Sequence, residues 1–392
     1  MAANGNEQRK ARPMRIAMIG HKFIPSRNGG VEVVVTNLAP HLAALGDAVT
    51  VYNRTDEDAK KTGKKALPRE YRGVRLVWTP TVRRRGLAAM SSSVVASVMA
   101  AFGPYDLIHY HTEGPCVLCG LPRLFGKKIV VTVHGLDHQR QKWGRFASAY
   151  ILRGEKAAVR HAHRIIVLSK GVQQYFLDQY NRPTVLIPNG IDPASPVPAK
   201  EITEKFGLRK GEYILFLGRL VPEKGIHYLI EAFKSLKTDK KLVIVGGTSD
   251  TDAYVRRLYD MAAGSPSILF TGFQQGSVLE ELYSNAYLYV LPSDLEGMPL
   301  TLLEAMNYGC CCVTSDIGEC ADVMGEGGLT FPKGNVEALR QTLQDLCDDP
   351  AKAQTYRDRA RRIISEKYTW TDITRQTRDL YREILEGGSR QG

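Results

Sequence analysis

The sequence predicts an α/β protein built from two Rossmann-like, doubly wound domains facing a cleft. Three observations carry that expectation. Short apolar strands alternate with helical patterns along almost the whole chain. A breaker-dense segment, Pro188-Asn-Gly-Ile-Asp-Pro-Ala-Ser-Pro-Val-Pro198, interrupts the alternation near its midpoint. The length, 392 residues, exceeds what a single hydrophobic core usually supports.

In chain order, residues 1–13 are polar, lack the apolar core of a secretory signal and read as a disordered tail. Residues 14–190 form the first expected domain. Met14-Arg-Ile-Ala-Met-Ile-Gly20 is a buried-type strand closed by glycine, and Ser26-Arg-Asn-Gly-Gly30 is a glycine-rich loop. From Val31 to Leu45 apolar residues recur at three- and four-residue spacing and stop at Gly46, which predicts a helix. Strands are expected at 48–52, 74–78, 106–110, 128–133, 164–168 and 184–188, with helices at 87–102 and 146–162. After the linker, residues 191–370 repeat the pattern. Strands are expected at 213–217, 241–246, 268–271, 286–291 and 310–314, and helices at 225–236, 252–263, 276–284, 299–308 and 336–347. The tail from Pro350 to Leu385 reads as helix with a break at Tyr368-Thr-Trp370.

A hydrophobic fraction of 43% and a charged fraction of 24% are ordinary for a globular chain, and no apolar run reaches the roughly 18 residues that span a bilayer. Seven cysteines, three of them consecutive at Cys310, Cys311 and Cys312, read as reduced thiols of a cytoplasmic protein and not as a disulfide framework. Charge is uneven. Residues 1–190 hold 29 Lys/Arg against 12 Asp/Glu, a balance of +17, while the remainder holds 24 against 29, a balance of −5. A basic half suggests an anionic partner, such as a phospholipid surface, a lipid pyrophosphate or a nucleic acid. Nucleic acid is the weakest of these, because aromatic residues are not interleaved with the cations.

The most informative motif is the pair Glu296 and Glu304, flanking a Gly297-Met298-Pro299 turn. One carboxylate is expected in a loop after an apolar strand, the other on the second turn of a short helix. The helix N-terminus between them exposes N–H groups that suit a phosphate. The two carboxylates then suit sugar hydroxyls on one side and ribose on the other, as a nucleotide sugar requires. Arg219 and Lys224 follow the first strand of the same half and suit a diphosphate, although an isolated basic pair is more often a solvated loop.

Other motifs are weaker on their own. Gly29-Gly30 opens a helix after a strand, without the full dinucleotide-binding pattern. Gly246 and Gly247 end one strand, and Phe270-Thr-Gly-Phe273 ends another; each is as readily a plain turn. His134 follows the strand Ile129–Val133 as a polar candidate at the sugar end of the cleft, although a lone histidine is more often structural, and His109, His111 and Glu113 cluster similarly after another strand, on the acceptor side. Cys116 and Cys119 with the two histidines superficially resemble a zinc set, but no second Cys/His pair follows at a usual spacing, and Pro115 points to a packed helical turn. Asp250 and Asp252 suit a cation or, more simply, a helix cap. Arg83-Arg84-Arg85 precede an apolar, small-residue helix and suit either an anionic membrane surface or a solvated loop.

Taken together, these residues resemble the retaining glycosyltransferases of family 4, which have the GT-B fold. The resemblance runs from about Arg15 to the last helix. It rests on Gly29-Gly30-Val31-Glu32, Val133-His134-Gly135, Asn189-Gly-Ile-Asp192, Gly218-Arg219 with Lys224, and the Glu296/Glu304 element, in register. It implies that His134, Glu296, Arg219 and Lys224 act at the reaction centre. It further implies that Gly29, Gly30, Gly218, Gly246 and Phe273 line the donor, with Gly297, Met298, Pro299 and Leu300 holding the sugar and Glu304 the ribose. The implied reaction moves a hexose-type sugar from a nucleotide donor, UDP first and GDP second, with no metal and no cofactor. The implied acceptor is a glycan or a polyprenyl-diphosphate-linked sugar, reached from the cytoplasm at the inner face of the membrane. A closing helix at 371–388 is expected to cross back to the first domain. The Gly-Gly-Val-Glu loop is similar to bacterial enzymes that build surface polysaccharides or other glycoconjugates. The triple cysteine departs from the small or apolar residues usual at that place. Rival readings are a nucleotide-sugar epimerase or a phosphorylase on the same scaffold, or a non-catalytic anion-binding protein.

Overall fold

The computed structural model describes residues 12–27, 29–55, 67–82, 87–139, 144–247 and 252–387. The chain divides into two compact units, one of Met1–Thr132, Tyr150–Ile165 and Thr377–Gly392, the other of Val133–Ala149 and Ile166–Gln376. Two parallel-sheet α/β domains result, as the alternation of strands and helices predicts.

The first sheet contains β1 (Arg15–Ile19), β2 (Ala48–Arg54), β3 (Glu70–Tyr71), β4 (Val74–Thr79), β5 (Leu107–His111), β6 (Lys128–Val133), β7 (Arg164–Val167) and β8 (Val185–Leu186), in the order β3-β4-β2-β1-β5-β6-β7-β8. Only β3 is antiparallel to its neighbour among the described pairings. The second sheet holds β9 (Tyr213–Leu217), β10 (Lys241–Val245), β11 (Ile268–Gly272), β12 (Leu288–Leu291), β13 (Cys311–Ser315) and β14 (Gly328–Phe331), in the order β11-β10-β9-β12-β13-β14. Its strands are parallel throughout. Their near-continuous apolar sequences, such as Ile214-Leu-Phe216, follow from burial on both faces by helices.

The helices are α1 (Gly30–Ala44), α2 (Leu87–Phe102), α3 (Gly120–Leu124), α4 (Arg145–His161), α5 (Lys170–Tyr180), α6 (Glu201–Phe206), α7 (Ile226–Lys234) and α8 (Asp252–Ala262). They continue with α9 (Ser277–Asn285), α10 (Leu300–Asn307), α11 (Gly318–Met324), α12 (Val336–Asp348), α13 (Pro350–Lys367) and α14 (Trp370–Gly387). Among the described residues none is long and apolar enough to cross a membrane. The last helix buries Trp370, Ile373, Thr374, Thr377, Tyr381 and Ile384, a stripe at helical spacing. Its first residue packs over Gly190, where an added Cβ would lie 2.7 Å from the indole. The linker backbone is tied there by Ile191 N–H to Tyr368 O (2.6 Å) and Trp370 N–H to Ile191 O (3.3 Å). Further along, Arg378 pairs with the fully buried carboxylate of Asp47 at 2.7 Å.

Several elements depart from the sequence reading. The strand expected at 184–188 shrinks to Val185–Leu186, because Pro183 and Pro188 bracket it. Helices α5, α6 and α11 and strand β14 were not anticipated. In α5 only Val172 and Phe176 are buried, and its start is set by Ser169, whose Oγ accepts from Val172 N–H at 3.2 Å. All seven cysteines are unpaired. Burial raises the Cys310 and Cys311 thiols to about 12, so they behave as small core hydrophobes.

A half-buried histidine makes the first unit acid-sensitive. His163 Nδ1 accepts the backbone N–H of Ile129 at 3.0 Å, which requires an unprotonated nitrogen. Burial first, then Lys128 and Arg123, lower its pKa to about 4. The unfolded chain binds this proton at its ordinary value near 6.5, so the stability contribution is present above that pH and is lost as pH falls toward 4. The melting temperature should therefore decline between about pH 6.5 and 4 more steeply in the parent than in His163→Asn, which keeps a hydrogen-bond acceptor that does not titrate. Parallel declines would remove His163 from the account.

Candidate functional site

In a doubly wound sheet a ligand crevice opens where chain order reverses, at the carboxyl ends of the two central strands. In the second sheet those strands are β9 and β12, since the chain proceeds from β9 to β10 and β11 on one side and from β12 to β13 and β14 on the other. Gly218, Arg219 and Lys224 follow β9, and the segment from Ser293 to Pro299 follows β12. Gly246 and Phe273 end the adjoining strands. The structure thus brings the basic pair and the Glu296 loop to one sheet edge.

Lys224 and Glu296 meet directly. Their Nζ–Oε1 separation is 2.5 Å, with side-chain exposures of 13% and 8%. The same Oε1 accepts from Ser293 Oγ at 2.7 Å, and Ser315 Oγ in turn donates to Ser293 O at 2.5 Å. Two glycines make the encounter possible. Gly225, at φ +64°, passes so close to the strand end that a Cβ would stand 2.0 Å from Pro292 O. Gly297 passes so close to His134 that a Cβ would stand 1.8 Å from its carbonyl oxygen. The Lys224 loop and the Glu296 loop are therefore each pressed onto backbone, and neither tolerates a side chain at the point of contact.

The contact at Gly297 also places His134, half-buried, beside the Glu296 loop. Met298 is buried and its sulfur lies 3.0 Å from Asn189 N. Pro299 caps α10 with no side-chain hydrogen bond to the first turn, so the N–H groups there are not claimed by a capping side chain. Leu300 opens that helix, and Glu304 sits on its second turn, half-buried, accepting from Tyr283 OH at 2.9 Å. Burial holds the Tyr283 hydroxyl well above its ordinary pKa, with Glu304 adding to it, so the phenol remains a donor. Gly246 lies against the carbonyl of Gly218, where a Cβ would come to 1.8 Å. Phe273 is exposed at the end of β11.

In the first unit the reversal lies between β1 and β5. Gly20 ends β1 at φ +122°, and a Cβ there would be 2.0 Å from His111 O. Gly29 precedes α1 in extended backbone, and Gly30 is exposed at the start of the helix. Glu32 folds back over Gly29 and accepts from Lys22 N–H at 2.8 Å. The acceptor-side expectation for His109 is corrected. It is fully buried, with Nε2 2.7 Å from Thr132 Oγ1 and Nδ1 2.6 Å from Tyr381 OH, so both nitrogens serve the core. His111 and Glu113 are also fully buried, and Gly154 packs against the Glu113 carbonyl. Cys116 is buried with Sγ 3.2 Å from Thr112 O, as a packed turn requires.

Sequence reasoning missed Ser293, Tyr283, Gly225 and Glu319. Ser293 carried a usable signal, three residues before Glu296 at a strand end. Tyr283 did not, since it lies on a different helix from Glu304. Glu319, on α11, lies 3.5 Å from Ser169 Oγ, and burial, with Glu296 and Asp322 nearby, raises its pKa. Asp250 and the Arg83–Arg85 cluster lie outside the described residues. Asp252 is the first residue of α8. A concavity of about 500 Å³ lined by linker residues and Lys210 opens at the amino ends of β9 and β12, away from the edge where this sheet type binds ligands.

The chain is similar to known proteins over almost its whole length. Residues 28–195 match the model described as Glycosyltransferase Family 4, and residues 199–363 match Glycosyl transferases group 1. The chain is 26% identical over 400 residues to alpha-maltose-1-phosphate synthase of Mycolicibacterium smegmatis, covering 95% of this chain and 100% of that one. It is 24% identical to O-antigen chain mannosyltransferase C of Escherichia coli, covering 96% and 100%. Among solved structures, sucrose-phosphate synthase of Thermosynechococcus elongatus superposes with a TM-score of 0.78 at 24% identity, over 95% of this chain and 100% of that one. HepE of Anabaena, in complex with UDP and glucose, superposes with a TM-score of 0.79 at 19% identity, over 94% and 100%.

Two stability tests follow from the loop contacts. Gly297→Ala should lower the melting temperature by several degrees, while Gly318→Ala, which has open space around the added carbon, should leave it within about a degree. Equal melting temperatures for both variants would mean that the loop does not rest on His134. Lys224→Met leaves a nearly buried carboxylate unpaired and should cost about 3–5 kcal/mol in urea unfolding, and adding Glu296→Gln should recover part of it. Strict additivity of the two changes would show that the ion pair is not coupled.

Proposed function

This chain belongs to the family 4 glycosyltransferases, and from that premise we propose that it transfers a hexose-type sugar from a nucleoside diphosphate donor to a glycan or lipid-linked acceptor, with retention of anomeric configuration. The observation that carries the reading is the Lys224–Glu296–Ser293 cluster at the β9/β12 reversal, with Glu304 on the helix that begins beside it. Arg219 and Lys224 take the diphosphate together with the uncapped start of α10. Glu296 and the backbone from Gly297 to Leu300 take the sugar hydroxyls. Glu304, oriented by Tyr283, takes the ribose hydroxyls. Gly218 and Gly246 bring backbone against backbone at the ends of β9 and β10, beside the proposed phosphate and nucleoside positions, and Phe273 is assigned to the base side.

In the step itself the bond from the anomeric carbon to the diphosphate oxygen breaks and a bond to the acceptor oxygen forms on the same face. The acceptor proton passes to the departing phosphate. Negative charge grows on the diphosphate, so Arg219 and Lys224 act most strongly in the transition state. His134, whose backbone rests against Gly297, is assigned to the sugar. The reading assigns no metal or cofactor to the step, because these side chains supply the cationic charge. UDP is the proposed nucleotide, with GDP second, and the complex of HepE with UDP and glucose supports that order. The O-antigen mannosyltransferase likeness supports an acceptor in bacterial surface-polysaccharide or glycoconjugate synthesis, at the cytoplasmic face of the membrane.

Calorimetry with UDP-sugars tests the donor site. Glu304→Ala should weaken binding at least about tenfold, the worth of a charge-assisted hydrogen bond. Arg219→Ala should lower kcat more than it raises KM. Unchanged donor affinity in the first variant, or an intact kcat in the second, would overturn the respective role. Release of nucleoside diphosphate only when acceptor is present separates transfer from epimerisation.

A further inference from the structure

Helix α2 is packed inside out. Its buried side consists of small residues, Ser92, Ser93, Ala96, Ser97, Ala100 and Ala101. The serines find polar partners there, Ser92 with Thr79 Oγ1 at 2.6 Å, Ser93 with Ala89 O at 2.7 Å and Ser97 with Tyr110 OH at 3.0 Å. The large apolar residues face outward instead. Leu87, Val94, Val98 and Phe102 recur at helical spacing as one exposed stripe, with Met99 beside it. An amphipathic helix of a globular core places these classes the other way round.

The stripe continues beyond the helix. Phe102 is 68% exposed and packs against Phe125 with tilted rings, centroids 4.6 Å apart, and Leu124, at the end of α3, is 84% exposed. Val82, which bonds Ser91 through its N–H, extends the other end. Most of the exposed large hydrophobics described in the first unit gather on this face. Solvated monomer surfaces seldom keep so many together.

The chemistry around the patch selects its occupant. Neither Pro80–Tyr105 nor Gly114–Leu136, the two segments that build it, contains an Asp or Glu. Arg123, Lys127 and Lys128 border α3, and Lys127 Nζ is held at the chain leaving α2 by Gly103 O (2.7 Å) and Tyr105 O (3.1 Å). An apolar stripe with a cationic border, where the neighbouring Asp106 is itself paired with Arg15 at 2.5 Å, complements a bilayer surface with anionic headgroups, into which aromatic and aliphatic tips insert while cations stay among the phosphates. Pairing of two copies through this face would set the cations against themselves, because a two-fold contact opposes a patch to its own image.

We propose that the α2–α3 face, led by Phe102, Leu124 and Phe125, is a docking surface for an anionic membrane. This goes beyond the transfer reaction and is read without donor or acceptor, so either can fail alone. The test is sedimentation of the full chain with phosphatidylcholine vesicles containing about one-third phosphatidylglycerol. The chain should bind these and not pure phosphatidylcholine, and binding should weaken severalfold as salt rises from about 0.1 to 0.5 M. Phe102→Gln with Leu124→Gln should reduce partitioning at least about tenfold, with the melting temperature unchanged because both side chains are exposed. Absence of binding, or undiminished binding by the double variant, would overturn the assignment. So would a dimer in solution that the double variant dissociates, which would identify the face as a contact between copies.

Discussion

The second unit depends on two places where backbone meets backbone without a side chain between. Gly225 lies on the carbonyl of Pro292, and Gly297 lies on that of His134. These contacts set the height of two loops above one sheet edge and so decide that Lys224 and Glu296 meet at 2.5 Å. Neither charge would be stable so nearly buried on its own. Ser293 and Ser315 complete the arrangement by fixing the carboxylate and the strand end from which it springs.

The same economy operates in the first unit, to a different end. Gly20 lies against His111 O at the reversal between β1 and β5. There the histidines turn inward. His109 joins Thr132 to Tyr381, and the last helix adds Arg378 against the buried Asp47. Polar groups in this unit hold core elements together, while apolar ones on α2 and α3 face out.

Most of the architecture was legible because parallel strands buried on both faces leave continuous apolar runs, and because caps and glycines mark their ends. The edge elements were not. Strand β14 and helices α5, α6 and α11 bury few side chains each, so their periodicity is faint. The site was legible where chemistry is unusual for its place, as with Glu296, Glu304, Arg219 and Lys224. It was illegible where long-range packing decides, as with Tyr283 reaching Glu304 from α9. His109 misled for a related reason. A histidine at a strand's carboxyl end looks exposed in sequence, and only the arrival of Tyr381, far along the chain, shows both nitrogens occupied. The sequence of α2 likewise left a membrane surface and a core helix both open, since periodicity alone does not tell which face turns inward.

The central claim is that the Lys224–Glu296 pair is the seat of an activated sugar. A crystal structure of the chain with a UDP-sugar addresses it most directly. The account predicts Arg219 and Lys224 on the diphosphate, Glu296 on sugar hydroxyls and Glu304 on the ribose, with the Gly297–His134 contact retained. A donor bound elsewhere, with the ion pair intact and Glu304 away from the ribose, would contradict it.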